Sequence, residues 1–251
     1  FGADHRRFGA AAHLAGDGGR LGLAISAGAR AERIAWWSKG DPDLPNEDAC
    51  CIVDDGRRIM LAVADAHFGH QPSHAAIGVL LAADPAAAPA ALEALLASIA
   101  ADRSVAAADD AAATALAIAV VDRADGLGFG VVFGDATVAR VGAGGVVYLS
   151  RAAHDFVTPG RPSTFSGAGR RFRFALRPDE LLIAYSDGVD GCGGPTQRGI
   201  TAEELRRLAG RPRQDAARCA RALVRWALRG VAGRTGGHDN VAVAAAGPLG
   251  S

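Results

Sequence analysis

Apolar positions along this chain recur mostly with the period of strands. Ala49-Cys50-Cys51-Ile52-Val53 and the run Ile59 to Ala64 flank the polar Asp54-Asp55-Gly56, a pattern that predicts two strands joined as a hairpin. Leu21 to Ser26 and Arg33 to Trp37 read as further strands, with Trp36 and Trp37 on opposite faces. Ala112 to Val121 reads as a buried strand, and Leu127 to Phe133 returns from it across Asp125-Gly126. Thr137 to Val141 and Val146 to Leu149 flank a glycine-rich turn. Arg170 to Phe174 alternates charge with aromatic rings, which suits an edge strand with one wet face. Glu180 to Ser186 and Val241 to Ala245 complete the strands, and residues 1 to 20 are ambiguous.

Helical spacing is confined to two pairs of segments. Ser73 to Ala83 follows Pro72, a residue suited to a first turn, and Ala86 to Ala101 carries Leu92, Leu95, Leu96 and Ile99. Thr201 with Glu204 forms a capping-box pattern, and Gln214 to Arg229 sets Cys219, Leu223 and Trp226 along one stripe. The order of strands, two helices, strands, two helices and a last strand predicts an α+β fold. Its antiparallel sheets are stacked, with helices covering the outer faces. No repeat or long linker divides it, so residues 1–246 read as one domain, with Gly247 to Ser251 resembling an expression-tag remnant.

Composition narrows the classes. The 251 residues are 49% hydrophobic and 22% charged, as in a soluble globular protein. The formal net charge of +0 offers no electrostatic ground for a nucleic-acid or anionic-membrane partner. The longest apolar run, Ala111 to Val121, is too short to span a bilayer, and no N-terminal secretory pattern is legible. Cys50, Cys51, Cys192 and Cys219 lack metal or redox spacing. They read as reduced, buried thiols, and the expected location is cytoplasmic.

The acids change the picture. Glu47, Asp48, Asp65, Asp135, Asp187 and Asp239 all stand where a strand meets a turn or loop, most with a glycine close by. In the first hairpin, Glu47 and Asp48 at one strand's start lie beside Asp65 at the other's end. Carboxylates crowded in this way repel unless a cation sits among them. Oxygen-only donors select hard ions such as Mg²⁺, Mn²⁺ or Ca²⁺.

Six blocks carry a family resemblance: Asn46-Glu47-Asp48-Ala49, Asp65-Ala66-His67-Phe68-Gly69, Thr114-Ala115, Gly134-Asp135, Ser186-Asp187-Gly188-Val189 and Asp239-Asn240-Val241. In this order, from about residue 20 to residue 246, they resemble the metal-dependent protein serine/threonine phosphatases of type 2C. The resemblance implies a four-layer αββα sandwich of two antiparallel β-sheets flanked by helix pairs, with two Mn²⁺ or Mg²⁺ ions at one end. It assigns Asp65 to bridge the metals, Glu47 and the Ala66 carbonyl to one, and Asp187 and Asp239 to the other. Asp48 would line the site or hold ligand waters, and Asp135 would help bind a weaker third ion. His67 matches a histidine that acts as general acid, or it holds a ligand carboxylate. The implied reaction is hydrolysis of phosphoserine or phosphothreonine in a protein substrate of a serine/threonine kinase, by a bridging water whose pKa the metals lower.

Departures set up the rival readings. Ala66 and Phe68 stand where the family is glycine-rich, Gly191 replaces a frequent acid, and Asp43 occupies the place of the phosphate-binding arginine. A phosphoprotein-binding pseudophosphatase without turnover is the first alternative, and a phosphatase of small molecules the second. An arginine clamps phosphate through a planar fork, a contact worth about 1.5–3 kcal/mol, or roughly 10- to 100-fold in affinity. Asp43→Arg is therefore expected to lower KM for a small aryl phosphate with a smaller change in kcat. An unchanged KM, together with a strong rise in Lys39→Ala, would mean that a relocated cation already binds the phosphate.

Overall fold

Two antiparallel sheets lie face to face, each backed by a pair of helices. The computed structural model describes residues 1–2, 4–29, 45–105, 112–150, 155–166, 169–190, 199–209, 215–230, 235–247 and 249. The strand expected at residues 33–37, together with Lys39, Asp43 and Cys192, lies outside the described residues. The strands are β1 (Ala12–Gly16), β2 (Leu21–Ser26), β3 (Asp48–Asp54), β4 (Arg58–His67), β5 (Ala113–Asp122) and β6 (Leu127–Phe133), followed by β7 (Thr137–Gly142), β8 (Gly145–Ser150), β9 (Arg170–Ala175), β10 (Leu181–Tyr185) and β11 (Val241–Ala246). The helices are α1 (Gln71–Leu81), α2 (Pro89–Ala101), α3 (Ala202–Ala209) and α4 (Ala216–Arg229).

One sheet has the order β1-β2-β11-β10-β7-β8 and the other β3-β4-β5-β6-β9. The α+β sandwich expected from the sequence is what forms, and β9 is the edge strand that its alternating charges imply. The N-terminal segment, which the sequence left ambiguous, supplies edge strand β1, paired with β2 from Ala12↔Ile25 to Gly16↔Leu21. Strand β4 runs on to His67, beyond the apolar run that marks it in the sequence. Its partner β5 continues opposite it, with Asp65↔Ala115 and His67↔Ala113 in register.

Three buried layers follow from strand alternation. Between the sheets, Ile59, Leu61 and Val63 of β4 meet Leu182 and Ala184 of β10 and Ala242 and Ala244 of β11. The other face of β4, with Met60, Ala62 and Ala64, packs under Ile77 and Leu80 of α1 and Leu92, Leu96 and Ile99 of α2. On the far side, Ile183, Tyr185 and Val243 pack under Leu205 of α3 and Cys219, Leu223 and Val224 of α4. Trp226 differs from the expected stripe: it is half-buried at the margin of that layer.

Of the two helices on the far side, α3 begins where its capping-box pattern marks it, while α4 begins at Ala216, two residues after the expected Gln214. In α3, Thr201 and Glu204 satisfy one another's backbone N–H groups at 2.9 and 3.2 Å. In α4, the Asp215 carboxylate accepts the Arg218 N–H at 2.9 Å. The consequence for function lies at one end of the sandwich. There β3 begins, β4 ends, β6 turns into β7, β10 ends and β11 begins.

Candidate metal centre

Strand parity delivers the acids. Odd positions of β4 face the inter-sheet layer, so two more residues of strand carry Asp65 and His67 onto that same face at the layer's end. Asp48 pairs directly across from Asp65. The even positions of β10 and β11 face the same space, which directs Ser186 and Asn240 toward Asp48 and Glu47 from the opposite sheet. Asp187 and Asp239 flank those two residues in sequence.

Hydrogen bonds then join the sheets across the site. The Ser186 hydroxyl donates to Asp48 Oδ2 at 2.7 Å, and its oxygen accepts the Ala242 N–H at 2.9 Å. Asn240 Oδ1 accepts the Glu47 N–H at 2.9 Å, while its amide donates to the carbonyls of Ala27 and Pro45. Glu47 Oε1 accepts the Gly69 N–H at 2.7 Å, and the Glu47 carbonyl accepts both the Ser73 hydroxyl and the Ala66 N–H. A Cβ on Gly188 would lie 1.7 Å from the Asn240 carbonyl oxygen, so only glycine lets the turn after Asp187 pass this close.

Of the expected ligands, the structure brings together Asp65, Asp135 and Asp187, whose carboxylate oxygens lie within 4.8 Å of one another. Asp239 is near enough for its charge to act on Asp187. Burial pushes the Asp187 carboxyl well above the usual range, and the negative charges of Asp65, Asp239 and Asp135 push it further. Asp187 Oδ1 is buried and has no hydrogen-bond partner among the described residues. Glu47 and Asp48 stand beside this group, held by Gly69 and Ser186, and Ala66 is fully buried next to Asp65. An all-oxygen donor set, an excess of negative charge and an orphaned inward oxygen fit hard divalent cations.

One wall of the site comes from residues 155–157. Gly134 donates to the Asp155 carbonyl at 2.8 Å, and Val157 bridges to Thr114. Phe156 of this segment meets the His67 ring edge-on, with centroids 4.7 Å apart. His67 Nε2 is buried with no hydrogen-bond partner among the described residues.

Sequence reasoning quoted Ser186, Asn240 and Asn46 inside its motif blocks but assigned them no role. Ser186 and Asn240 join the sheets, and Asn46 Oδ1 accepts the Asp48 N–H at 3.3 Å. The signal was available for Ser186, which shares parity with Leu182 and Ala184 and so faces the core.

No family model matches the sequence, and comparison with curated proteins finds no match. Solved structures do match. The catalytic domain of the serine/threonine protein phosphatase PstP, in complex with two manganese ions, is 18% identical with a TM-score of 0.63, over 94% of this chain and 97% of that one. The serine/threonine phosphatase MsPP from Mycobacterium smegmatis, in complex with cacodylate, is 22% identical with a TM-score of 0.62 over the same shares. RsbX in complex with magnesium is 12% identical with a TM-score of 0.57, over 93% of this chain and 98% of that one. The chain has the fold of the type 2C protein phosphatases.

The crowded carboxylates define a stability prediction. Asp187 holds its proton more tightly folded than unfolded, so the metal-free protein loses stability as pH rises from about 4 toward the raised folded value. Asp187→Asn lacks that loss. With a chelator at neutral pH, the variant should melt higher than wild type, by about 2–4 °C per kcal/mol of repulsion removed. Added Mn²⁺ should raise the wild-type melting temperature and leave the variant nearly unmoved. A variant that melts lower in chelator and still gains fully from Mn²⁺ would overturn this account of the cluster.

Proposed function

We propose that the chain is a metal-dependent phosphatase that hydrolyses phosphoserine and phosphothreonine in proteins. The observation that carries this reading is the convergence of Asp65, Asp135 and Asp187, with Asp239 alongside, from separate strand ends of both sheets. A bound Mn²⁺ or Mg²⁺ pair would supply Lewis acidity and an activated water for in-line displacement at phosphorus. In this reading Asp65 would contribute to holding both ions, Asp187 and Asp239 would help hold one, and Glu47 with the Ala66 carbonyl the other. Asp135 would help hold a weaker third ion, and Asp48, which accepts the Ser186 hydroxyl, would hold ligand waters.

No protein nucleophile is required, and the cysteines support that. Burial pushes the thiols of Cys50, Cys51 and Cys219 up to about 12, so they stay protonated and unreactive at neutral pH. His67 is the proton donor in this reading. Its ring is braced by Phe156, and its buried Nε2 lacks a hydrogen-bond partner among the described residues, as a group reserved for the leaving alcohol would. Binding of phosphoproteins without turnover is the second reading, favoured by Asp43 in place of a phosphate clamp.

Hydrolysis of an aryl phosphate with Mn²⁺, with and without chelator, separates the two. Turnover should require metal and fall to background in Asp187→Asn and in Asp239→Asn, both still folded by circular dichroism. Activity that survives chelation or both substitutions would refute the mechanism, and metal binding without turnover would favour the second reading.

His67→Gln tests the proton donor. It should slow phosphoserine peptides about 10²- to 10⁴-fold, while an aryl phosphate, whose leaving group needs little protonation, should change far less. Equal losses on both substrates would make His67 a positioning residue.

A further inference from the structure

The zero net charge conceals a strong local imbalance. Between positions 206 and 234 the sequence has nine arginines and a single acid, Asp215. That acid already caps α4. Along α4, Arg218, Arg221, Arg225 and Arg229 recur at intervals of three, four and four, which places them on one face. Arg218, Arg225 and Arg229 are exposed, and Arg221 is half-buried. Among the described residues no ion pair reaches any of the four.

Helix physics does not account for this stripe. Like charges four residues apart oppose the helix by about 0.2–0.5 kcal/mol per pair, and both Arg221/Arg225 and Arg225/Arg229 are such pairs. Arg218 lies in the first turn, where the macrodipole disfavours a cation, and only Arg229 lies where it favours one. A solvated helix face usually mixes both signs of charge, whereas this one carries a single sign.

The stripe also borders a recess. A pocket of about 310 Å³ opens between α3 and α4, lined by Leu208, Ala222 and Trp226 together with the four arginines. Trp226 and Leu208 are half-buried. The described large apolar side chains that protrude, Leu14, Phe68, Leu81, Leu127 and Val147, all lie elsewhere.

We infer that this face docks an acidic protein segment carrying one apolar anchor residue. The arginines span about 16 Å along the helix axis, which an extended peptide covers in about five residues. Acids at alternate positions of such a peptide would recur every 6–7 Å or so, close to the spacing of successive arginines. The anchor enters the recess between Leu208 and Trp226, and guanidinium forks take the surrounding carboxylates. A single-stranded nucleic acid stacks successive bases on a row of aromatic side chains, whereas Trp226 is the lone aromatic lining this recess among the described residues, and a bilayer surface would require apolar groups that protrude rather than line a pocket. The face lies on the outer side of the six-stranded sheet, so its occupancy is independent of the acid cluster and of the hydrolysis proposed there.

The test measures binding alone, by fluorescence anisotropy on the full chain without added metal or phosphorylated substrate. The probe is a labelled peptide of about 15 residues, rich in Asp and Glu, with a central Leu-Phe. Its affinity should fall as NaCl rises from about 50 to 300 mM. Arg221→Glu/Arg225→Glu should weaken it at least tenfold, and the exposed single variant Arg225→Glu should weaken it several-fold with the melting temperature unchanged. Trp226→Ala should cost about tenfold with the Leu-Phe peptide and little with a Ser-Ser version. Equal binding by the charge-reversed variants would overturn the proposal. So would tighter binding of a 20-nucleotide single-stranded DNA of about that length, or of phosphatidylglycerol vesicles, than of the peptide at the same salt. Loss of hydrolysis with peptide binding retained would count against the phosphatase reading alone.

Discussion

The contact between the buried Asp48 carboxylate and the Ser186 hydroxyl holds the acid end of the sandwich together. It joins β3 of one sheet to the end of β10 in the other, and the same hydroxyl accepts the Ala242 N–H of β11. A hydrogen bond of a buried polar group contributes about 0.5–1.5 kcal/mol net, and up to about 3 kcal/mol where one partner is ionised, so loss of the serine would weaken the tie between the sheets. Asn240 repeats the arrangement one strand away, with its side chain spread over Glu47, Ala27 and Pro45. These ties fix how far apart the two sheets stand where the acids gather, and so fix the spacing of the carboxylates.

That spacing is electrostatically unfavourable in the absence of a cation. Asp65, Asp135 and Asp187 lie close enough that burial and mutual repulsion drive Asp187 toward its neutral form. The fold tolerates the conflict because three apolar layers, each filled by one parity of the strands, stabilise the rest of the chain. Small residues pervade these layers: Ala115, Ala117, Ala119, Ala242 and Ala244 all lie between the sheets. Close approach of Gly188 to Asn240 belongs to the same economy of space.

Charge acts locally, over about a Debye length, and a chain-wide sum averages that away. The acids converge at one end of the sandwich, while arginines that have no ion pair among the described residues line the outer face of α4. A net charge of +0 is compatible with both, and an inference drawn from the sum alone overlooks each of them.

Much of the architecture was legible in the amino-acid order. Alternation marked strands such as β6, whose bounds Leu127 and Phe133 match the apolar run, and the Thr201/Glu204 pair marked the start of α3. The acids at strand ends were visible as a set, because glycine and turn residues frame them. Sequence could not determine how far β4 extends past its apolar run, since Asp65 to His67 are carried into the strand by pairing with β5 rather than by their own propensity. Nor could it separate the acids that converge from those held beside them. Asp65, Asp135 and Asp187 meet, while Glu47 and Asp48 are bound by Gly69 and Ser186 across 22 and 138 residues of chain, because those distances depend on how the loops and the two sheets pack. Local residue type sets strand, turn and cap; long-range packing alone sets which side chains share a point in space.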